Sequence, residues 1–465
     1  MRKVKMSDKK LHRALKNRHI QLIALGGAVG TGLFLGTGSA IFLAGPAVLV
    51  GYGVVGFLAF LIMRQLGEMM TEEPNAGSFS YFAHKYWGDF AGFLAGWNYW
   101  ILYVMVSISE LTAVAAYMQF WFPELPTWIS ALIFFVLINV INFSNVRVFG
   151  EVEFWFSIIK ISAIIAMIVF GLYILFLNTS LVPDATVKNL WEAPLGAEDK
   201  SGFFANGLYG LIMAIPIIMF SFGGLELVGI AAAEADEPKK TIPKATNQVL
   251  FRILVFYIGT IAVLLCLYHW SNLTRESSPF TMIFTDIGFK HVAGILNFVI
   301  LTAALSVFNS GVYATSRMLF GLSYQGNAPK MFSRLSVRGI PVIAMGLAGV
   351  LTFMVVPLNY FLPQWNEAFK QAMSVVVAAL VINWAMISLA HLFFRKNRDK
   401  NGAKTLFPTI LYPFGNYLCL AFTVFVLAVM ATPDFGMFYS VLAVPVWIIF
   451  IYLLYAIFKK GVKKS

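Results

Sequence analysis

Gly26-Gly27-Ala28-Val29-Gly30-Thr31-Gly32 interrupts an uncharged segment running from Ile20 to Ala44, and Phe220-Ser221-Phe222-Gly223-Gly224-Leu225-Glu226 interrupts an apolar segment from about Phe204 to Ala233. Lipid offers no partners to freed N–H and C=O groups. Unwound backbone at membrane depth therefore persists only where protein or a water-filled cavity satisfies it. Interruptions at comparable places in two corresponding helices point to a ligand site at the midplane, between repeats of opposite orientation.

Composition supports the membrane reading. The chain is 59% hydrophobic and 12% charged, with a mean hydropathy of +0.77, whereas soluble domains carry roughly 25% charged residues. Stretches of about 18 or more apolar residues read as membrane spans. Twelve such cores occur, near 20–44, 47–66, 90–121, 126–146, 154–177, 204–233, 248–269, 291–316, 340–361, 368–394, 408–431 and 437–458. They use most of the chain, so the sequence reads as a single integral membrane domain over 1–465 with no sizeable soluble part. The first core follows a polar leader and lacks a small-residue cleavage site, so it is expected to stay as a helix.

The net charge of +12 would suit nucleic acid if it were clustered on one soluble face. With the amino terminus placed inside, 28 of the 34 Lys and Arg fall on the inner side; five (Lys188, Lys200, Arg275, Lys290, Lys370) fall outside and Lys160 lies within a span. That asymmetry is the positive-inside rule. It puts both termini in the cytoplasm and leaves no basic excess for nucleic acid. The two cysteines, Cys266 and Cys419, lie within spans, and the six histidines are scattered. Neither metal spacing nor a disulfide framework is visible. No nucleophile–base or phosphate-loop motif supports an enzyme, and no cofactor is implied.

Residues 1–18 form a basic cytoplasmic tail with a short interfacial helix near Leu11–Asn17. Spans one to five (20–177) and six to ten (204–394) make two sets, each opening with a glycine-broken helix. An odd number of spans per set inverts the second in the membrane. Spans eleven and twelve (408–458) are left over. The expected fold is all-α, a five-plus-five inverted repeat with two extra helices.

Gly30, Thr31 and Gly32 start the second half of span one. Glycine lets a ligand approach the backbone closely, and the amides and positive dipole end of a helix N-terminus suit a carboxylate. Close helix packing through Gly-x-x-x-Gly patterns is the structural alternative. At span six, carbonyls around Phe220, Ser221, Phe222 and Gly223 suit an ammonium group, and Phe220 stands ready to pack over an apolar side chain. Together the two breaks would grip a zwitterion.

Ionisable groups within spans are few, and intramembrane charge marks functional candidates. Lys160 lies some seven residues into span five, roughly 10 Å from its inner end. It either snorkels to the cytoplasmic surface or stays buried and exchanges a proton. Glu110 and Glu226 are either structural hydrogen-bond anchors or participants in proton coupling. Ser306, Asn309 and Ser310 make a polar stripe in span eight that reads as interhelical glue.

Long segments now match a known family. LKNRHIQLIALGGAVGTGLFLG, RQLGEMMTEEPNAGSF, VFGEVEFWFSIIK, FSFGGLELVGIAAAEADEP with TIPKATNQV, and SRMLFGLSYQGNAPK resemble the amino acid/polyamine/organocation superfamily, and within it the bacterial amino acid transporter family. FSFGGLELVGI, GWNYW and VINWAMISLAH are similar to its branch of aromatic and phenylalanine permeases. The resemblance implies proton-driven uptake of amino acids across the inner membrane. It makes Gly30, Thr31 and Gly32 the carboxylate-binding turn and Phe220 an aromatic at substrate and gate. It aligns Lys160 with a lysine standing in the place of a sodium ion. Tyr103 matches the aromatic permeases, where the phenylalanine-selective relative carries Phe. That leans the expected substrate toward Phe, Tyr and Trp together; GPAVLVGYG, FNSGVY and YPFGNYLC lean toward phenylalanine alone. An exchanger without proton coupling and a receptor that binds without transport are the other readings. A monomer suffices for all of them.

Overall fold

The computed structural model describes residues 18–19, 21–22, 29–75, 77–192, 201–231, 234, 237–273, 278–286, 288, 290–361, 365–433 and 436–464. The proposed tail helix near Leu11–Asn17 and the glycines at 26 and 27 lie outside them. Every element among the described residues is helical.

The first break is described from Val29 onward. A π-helical turn, Gly32–Gly36, leads into α1 (Thr37–Ala44), which turns at Gly45 (φ 61°) and Pro46 into α2 (Val48–Glu72). Then follow α3 (Asp89–Gln119), α4 (Thr127–Ser144) and α5 (Val146–Leu177). Span six is α6 (Gly207–Phe220), a run of turns over 221–226, and the short α7 (Leu227–Ala231). Next come α8 (Pro238–Arg252), a π-helical stretch Ile253–Gly259, and α9 (Thr260–Leu267). The remaining helices are α10 (Pro279–Asp286), α11 (Lys290–Tyr324), α12 (Val342–Thr352), α13 (Val355–Phe361), α14 (Trp365–Lys400), α15 (Phe414–Met430) and α16 (Phe438–Lys464).

Nine helical stretches among the described residues are long and apolar enough to cross a membrane, one of them the 41-residue run Gly32–Glu72 that holds the first two expected spans. The α6 and α15 helices are shorter apolar helices. The ninth expected core divides at Phe353 into α12 and α13.

Burial sorts the helices into inner and outer layers. The long helix α3 packs most extensively against α11 and α14, while α1 packs on α6 and α8 on α2. By contrast, α16 is almost bare, with Val446, Ile449 and Ile457 each more than half exposed. A soluble protein hides such surface; here it belongs against hydrocarbon, where apolar exposure costs nothing.

Candidate functional site

The two breaks meet. A Cβ added to Gly32 would lie 2.6 Å from Ser221 Cα, and one added to Gly30 would lie 2.6 Å from Val307 Cγ2 and 3.0 Å from Glu110 Oε1. At Gly32 one backbone runs directly against another, whereas at Gly30 the close neighbours are the side chains of Val307 and Glu110. Next to this contact lies an enclosed cavity walled by Gly30, Gly32, Tyr103, Glu110, Phe220 and Gly223, with Gly224, Leu102, Val106, Val307 and Val376 completing it. It measures 20 Å³, about room for one water. An amino acid needs several hundred Å³ and enters only after these walls part.

Gly30 and Gly32, on either side of Thr31, line this cavity where the helix begins, and the positive end of a helix dipole favours an anion. Thr31 is fully buried and its hydroxyl donates to Glu110 Oε1 at 2.8 Å. Glu110 Oε2 has no partner and is buried on the cavity wall.

Across the second break, Gly224 takes a left-handed φ of 101°. The backbone forms tight turns: Ser221 N donates to Ile218 O at 3.0 Å and Gly223 N to Phe220 O at 3.2 Å. Ser221 and Phe222 turn away from the cavity. The Ser221 hydroxyl meets Tyr52 at 3.2 Å, and its carbonyl accepts from the Tyr257 hydroxyl at 2.8 Å. Phe222 stacks on Tyr257 with centroids 4.8 Å apart. These residues brace the break from behind, while Phe220, Gly223 and Gly224 form its inner face. Phe220 also packs edge-on against Phe369, 5.9 Å away. Phe220→Ala removes that pair and the ring face that lines the cavity; an aromatic contact being worth about 0.5–1.5 kcal/mol, binding of a ring-bearing ligand there should weaken about two- to twelve-fold in a binding assay.

Lys160 is fully buried, and this burial excludes snorkelling. Its Nζ donates to the Val29 carbonyl at 3.3 Å and to Ser306 Oγ at 2.8 Å. Ser306 in turn donates to Glu153 Oε1 at 2.5 Å, and Asn309 Nδ2 donates to Glu153 Oε2 at 3.2 Å. Asn142 Nδ2 completes the chain by donating to Asn309 Oδ1 at 2.7 Å. The network thus runs from α4 through α11 and α5 to the residue that precedes Gly30.

Sequence reading missed Glu153. It was placed just outside span five, but α5 begins at Val146 and Glu153 is fully buried. The signal existed: Glu153, Ser157 and Lys160 stand at i, i+4 and i+7, one face of a helix. Glu153→Gln keeps the shape but removes the charge that shares Ser306 with Lys160. Purified protein should lose roughly 1–3 kcal/mol of stability in thermal denaturation.

Glu226 is the last residue of the turns at 221–226 and is buried. It lies outside the cavity wall, as Lys160 does. Toward the Lys/Arg-rich end, Arg317 Nε donates to Glu234 Oε1 at 3.0 Å, and Tyr313 stacks on Phe149 at 4.2 Å. At the opposite end Phe34 meets Phe280 edge-on at 4.9 Å, and Ser278 Oγ donates to Phe34 O at 2.7 Å.

A bundle of apolar helices with two broken ones touching beside a small buried pocket is the architecture of a membrane carrier. The chain belongs to the amino acid permease family, whose pattern it matches over residues 19–465. It is 60% identical to the aromatic amino acid transport protein AroP of Salmonella typhi, covering 94% of both chains. To AroP of Escherichia coli strain K12 it is 58% identical over 98% of this chain and 97% of the relative. The uncharacterized transporter YdgF of Bacillus subtilis is 40% identical over 99% of this chain and 98% of its own length. Family and relatives are transporters and not enzymes.

Proposed function

We infer that the protein is a proton-coupled importer of Phe, Tyr and Trp across the cytoplasmic membrane. The observation that carries this reading is the contact of Gly32 with Ser221 beside the cavity, with Lys160 bonded to the carbonyl one residue before Gly30. The relatives named for aromatic amino acid transport support the substrate class. Charge asymmetry supports twelve spans with both termini inside, and the paired breaks support the five-plus-five inverted repeat over 20–177 and 204–394 with two helices added.

In this mechanism the substrate carboxylate meets the amides of Gly30, Thr31 and Gly32. Its ammonium faces the inner side of the second break and the free oxygen of Glu110. Phe220 and Tyr103 flank the aromatic ring. The carbonyls of Ser221, held by Tyr257, and of Phe220, held by Gly223 N, are already bonded, which leaves the ammonium to the Phe222 and Gly223 backbone oxygens. A proton on Lys160 makes its bond to the Val29 carbonyl charge-assisted; loss of that proton leaves a weaker neutral donor and loosens the first break. Proton occupancy thereby biases a two-state equilibrium between the two openings, as any ligand with unequal affinity for two states must. Glu110 couples through Thr31 and Glu226 through the turns it ends. The Arg317–Glu234 and Tyr313–Phe149 contacts close the inner path, and Phe34 with Phe280 closes the outer one.

The test is uptake into proteoliposomes of purified protein. An inward proton gradient should drive labelled Phe against its own gradient, with Tyr and Trp competing. Uptake that requires counter-substrate inside would make the protein an exchanger. Competition by Lys but not Tyr would overturn the aromatic assignment.

A further inference from the structure

Far from the breaks, a second cleft opens where α14 gives way to the loop before α15. It encloses 460 Å³, and Arg395, Asp399, Gly402, Lys404, Thr405 and Pro408 are among its walls. Residues 395–404 read RKNRDKNGAK, five basic residues to one acidic. Two carboxylates of α2 reach into this cluster: Glu68 Oε1 accepts from Arg395 Nη1 at 2.9 Å, and Glu72 Oε2 accepts from Arg398 Nη2 at 2.7 Å. After those pairings and Asp399, two positive charges stay uncompensated, and Lys396, Lys400 and Lys404 all stand exposed.

The cleft is also built rather than merely charged. The Arg395 guanidinium lies 4.5 Å over the Tyr412 ring and donates to Thr405 Oγ1 at 3.1 Å. Arg398 donates to the Lys404 carbonyl at 3.1 Å, which fixes the loop that carries the Lys404 ammonium. Directly after it the chain turns apolar and outward. Leu406 is 64% exposed, Ile410 47% and Phe414 64%, and Tyr417 follows on the first turn of α15. A cationic cleft followed along the chain by an exposed apolar strip has the two halves of an amphiphile's complement. Basic pockets at the cytoplasmic ends of membrane helices recognise anionic headgroups by this chemistry.

We propose that this cleft binds an anionic phospholipid. Lys404 and Arg395 face its phosphodiester, and its acyl chains lie along Leu406, Ile410 and Phe414. A soluble phosphate would use the cations but leave the apolar strip uncovered, so the lipid accounts for both halves. Occupancy also reaches the transport machinery. Arg395 is bonded to Glu68 on α2, and α2 carries Tyr52, which braces Ser221 at the second break.

The test uses the purified full chain in detergent, with phosphatidylglycerol and phosphatidylcholine supplied at equal concentration and retained lipid counted by native mass spectrometry. Phosphatidylglycerol should be retained preferentially. Lys404→Gln should weaken that retention about five-fold and Lys404→Glu more, since a basic side chain near an anionic headgroup is worth about one such factor. The Lys404 side chain is exposed, so neither variant disturbs the fold. Lys239→Gln, which changes an exposed lysine in the first turn of α8, should leave retention unchanged. Equal retention of phosphatidylcholine would overturn the proposal, as would an equal loss in Lys239→Gln. Displacement of the lipid by soluble glycerol 3-phosphate at matched concentration would also overturn it, because the cleft would then be a site for soluble phosphate.

Discussion

Lys160→Met abolishes proton-driven accumulation in proteoliposomes while leaving a protein that still folds. With one proton per substrate and no membrane potential, an inward gradient of one pH unit stores about 1.4 kcal/mol and supports roughly ten-fold accumulation. The variant should equilibrate substrate at a ratio near one under the same gradient. Methionine fills much of the lysine volume, so packing beside Ser306 survives; what disappears is the donor to the Val29 carbonyl and to Ser306 Oγ. Facilitated exchange of labelled for unlabelled Phe should persist, because the amides of the first break are untouched. If Lys160→Met accumulates substrate as the parent does, the proton works elsewhere, and Glu110 becomes the residue to replace next.

Gly32→Ala has the second large effect. The added methyl would stand 2.6 Å from Ser221 Cα, well inside the 3.5–4.0 Å at which carbon atoms rest. The obstacle is backbone, so no rotamer change relieves it. Forcing such a group into a packed contact costs about 1–3 kcal/mol, which corresponds to a loss of about five- to 150-fold when it falls on the closed state. Initial uptake rates should drop by that factor at unchanged membrane abundance. Ser221→Ala should not rescue the loss, since the side chain at 221 is not what the methyl strikes. Full activity of Gly32→Ala would show that the breaks separate at this point throughout the transport cycle.

Much of the fold was legible because lipid enforces a simple rule: each backbone group pairs within its own helix or stands out as an exception. The apolar cores, the charge asymmetry and the two glycine breaks followed from that rule, and the breaks proved to touch. What the sequence concealed was orientation within a break. Phe220, Ser221 and Phe222 are adjacent in the chain, yet Phe220 lines the cavity while the other two brace it through Tyr52 and Tyr257. Side-chain direction in irregular backbone has no period to read. Glu153 was hidden differently. Its helical spacing to Lys160 was visible, but the start of α5 was placed too late, and a buried carboxylate passed for one in the cytoplasm. The cavity walls Leu102, Val106, Val307 and Val376 carry no mark at all, since apolar residues of a wall and of a core look alike.

The cavity at the breaks has room for about one water. If the protein works as proposed, its resting shape leaves little space for stray ions beside the touching backbones. Passage of anything larger then has to wait for the walls to part, so leak and delivery share one motion.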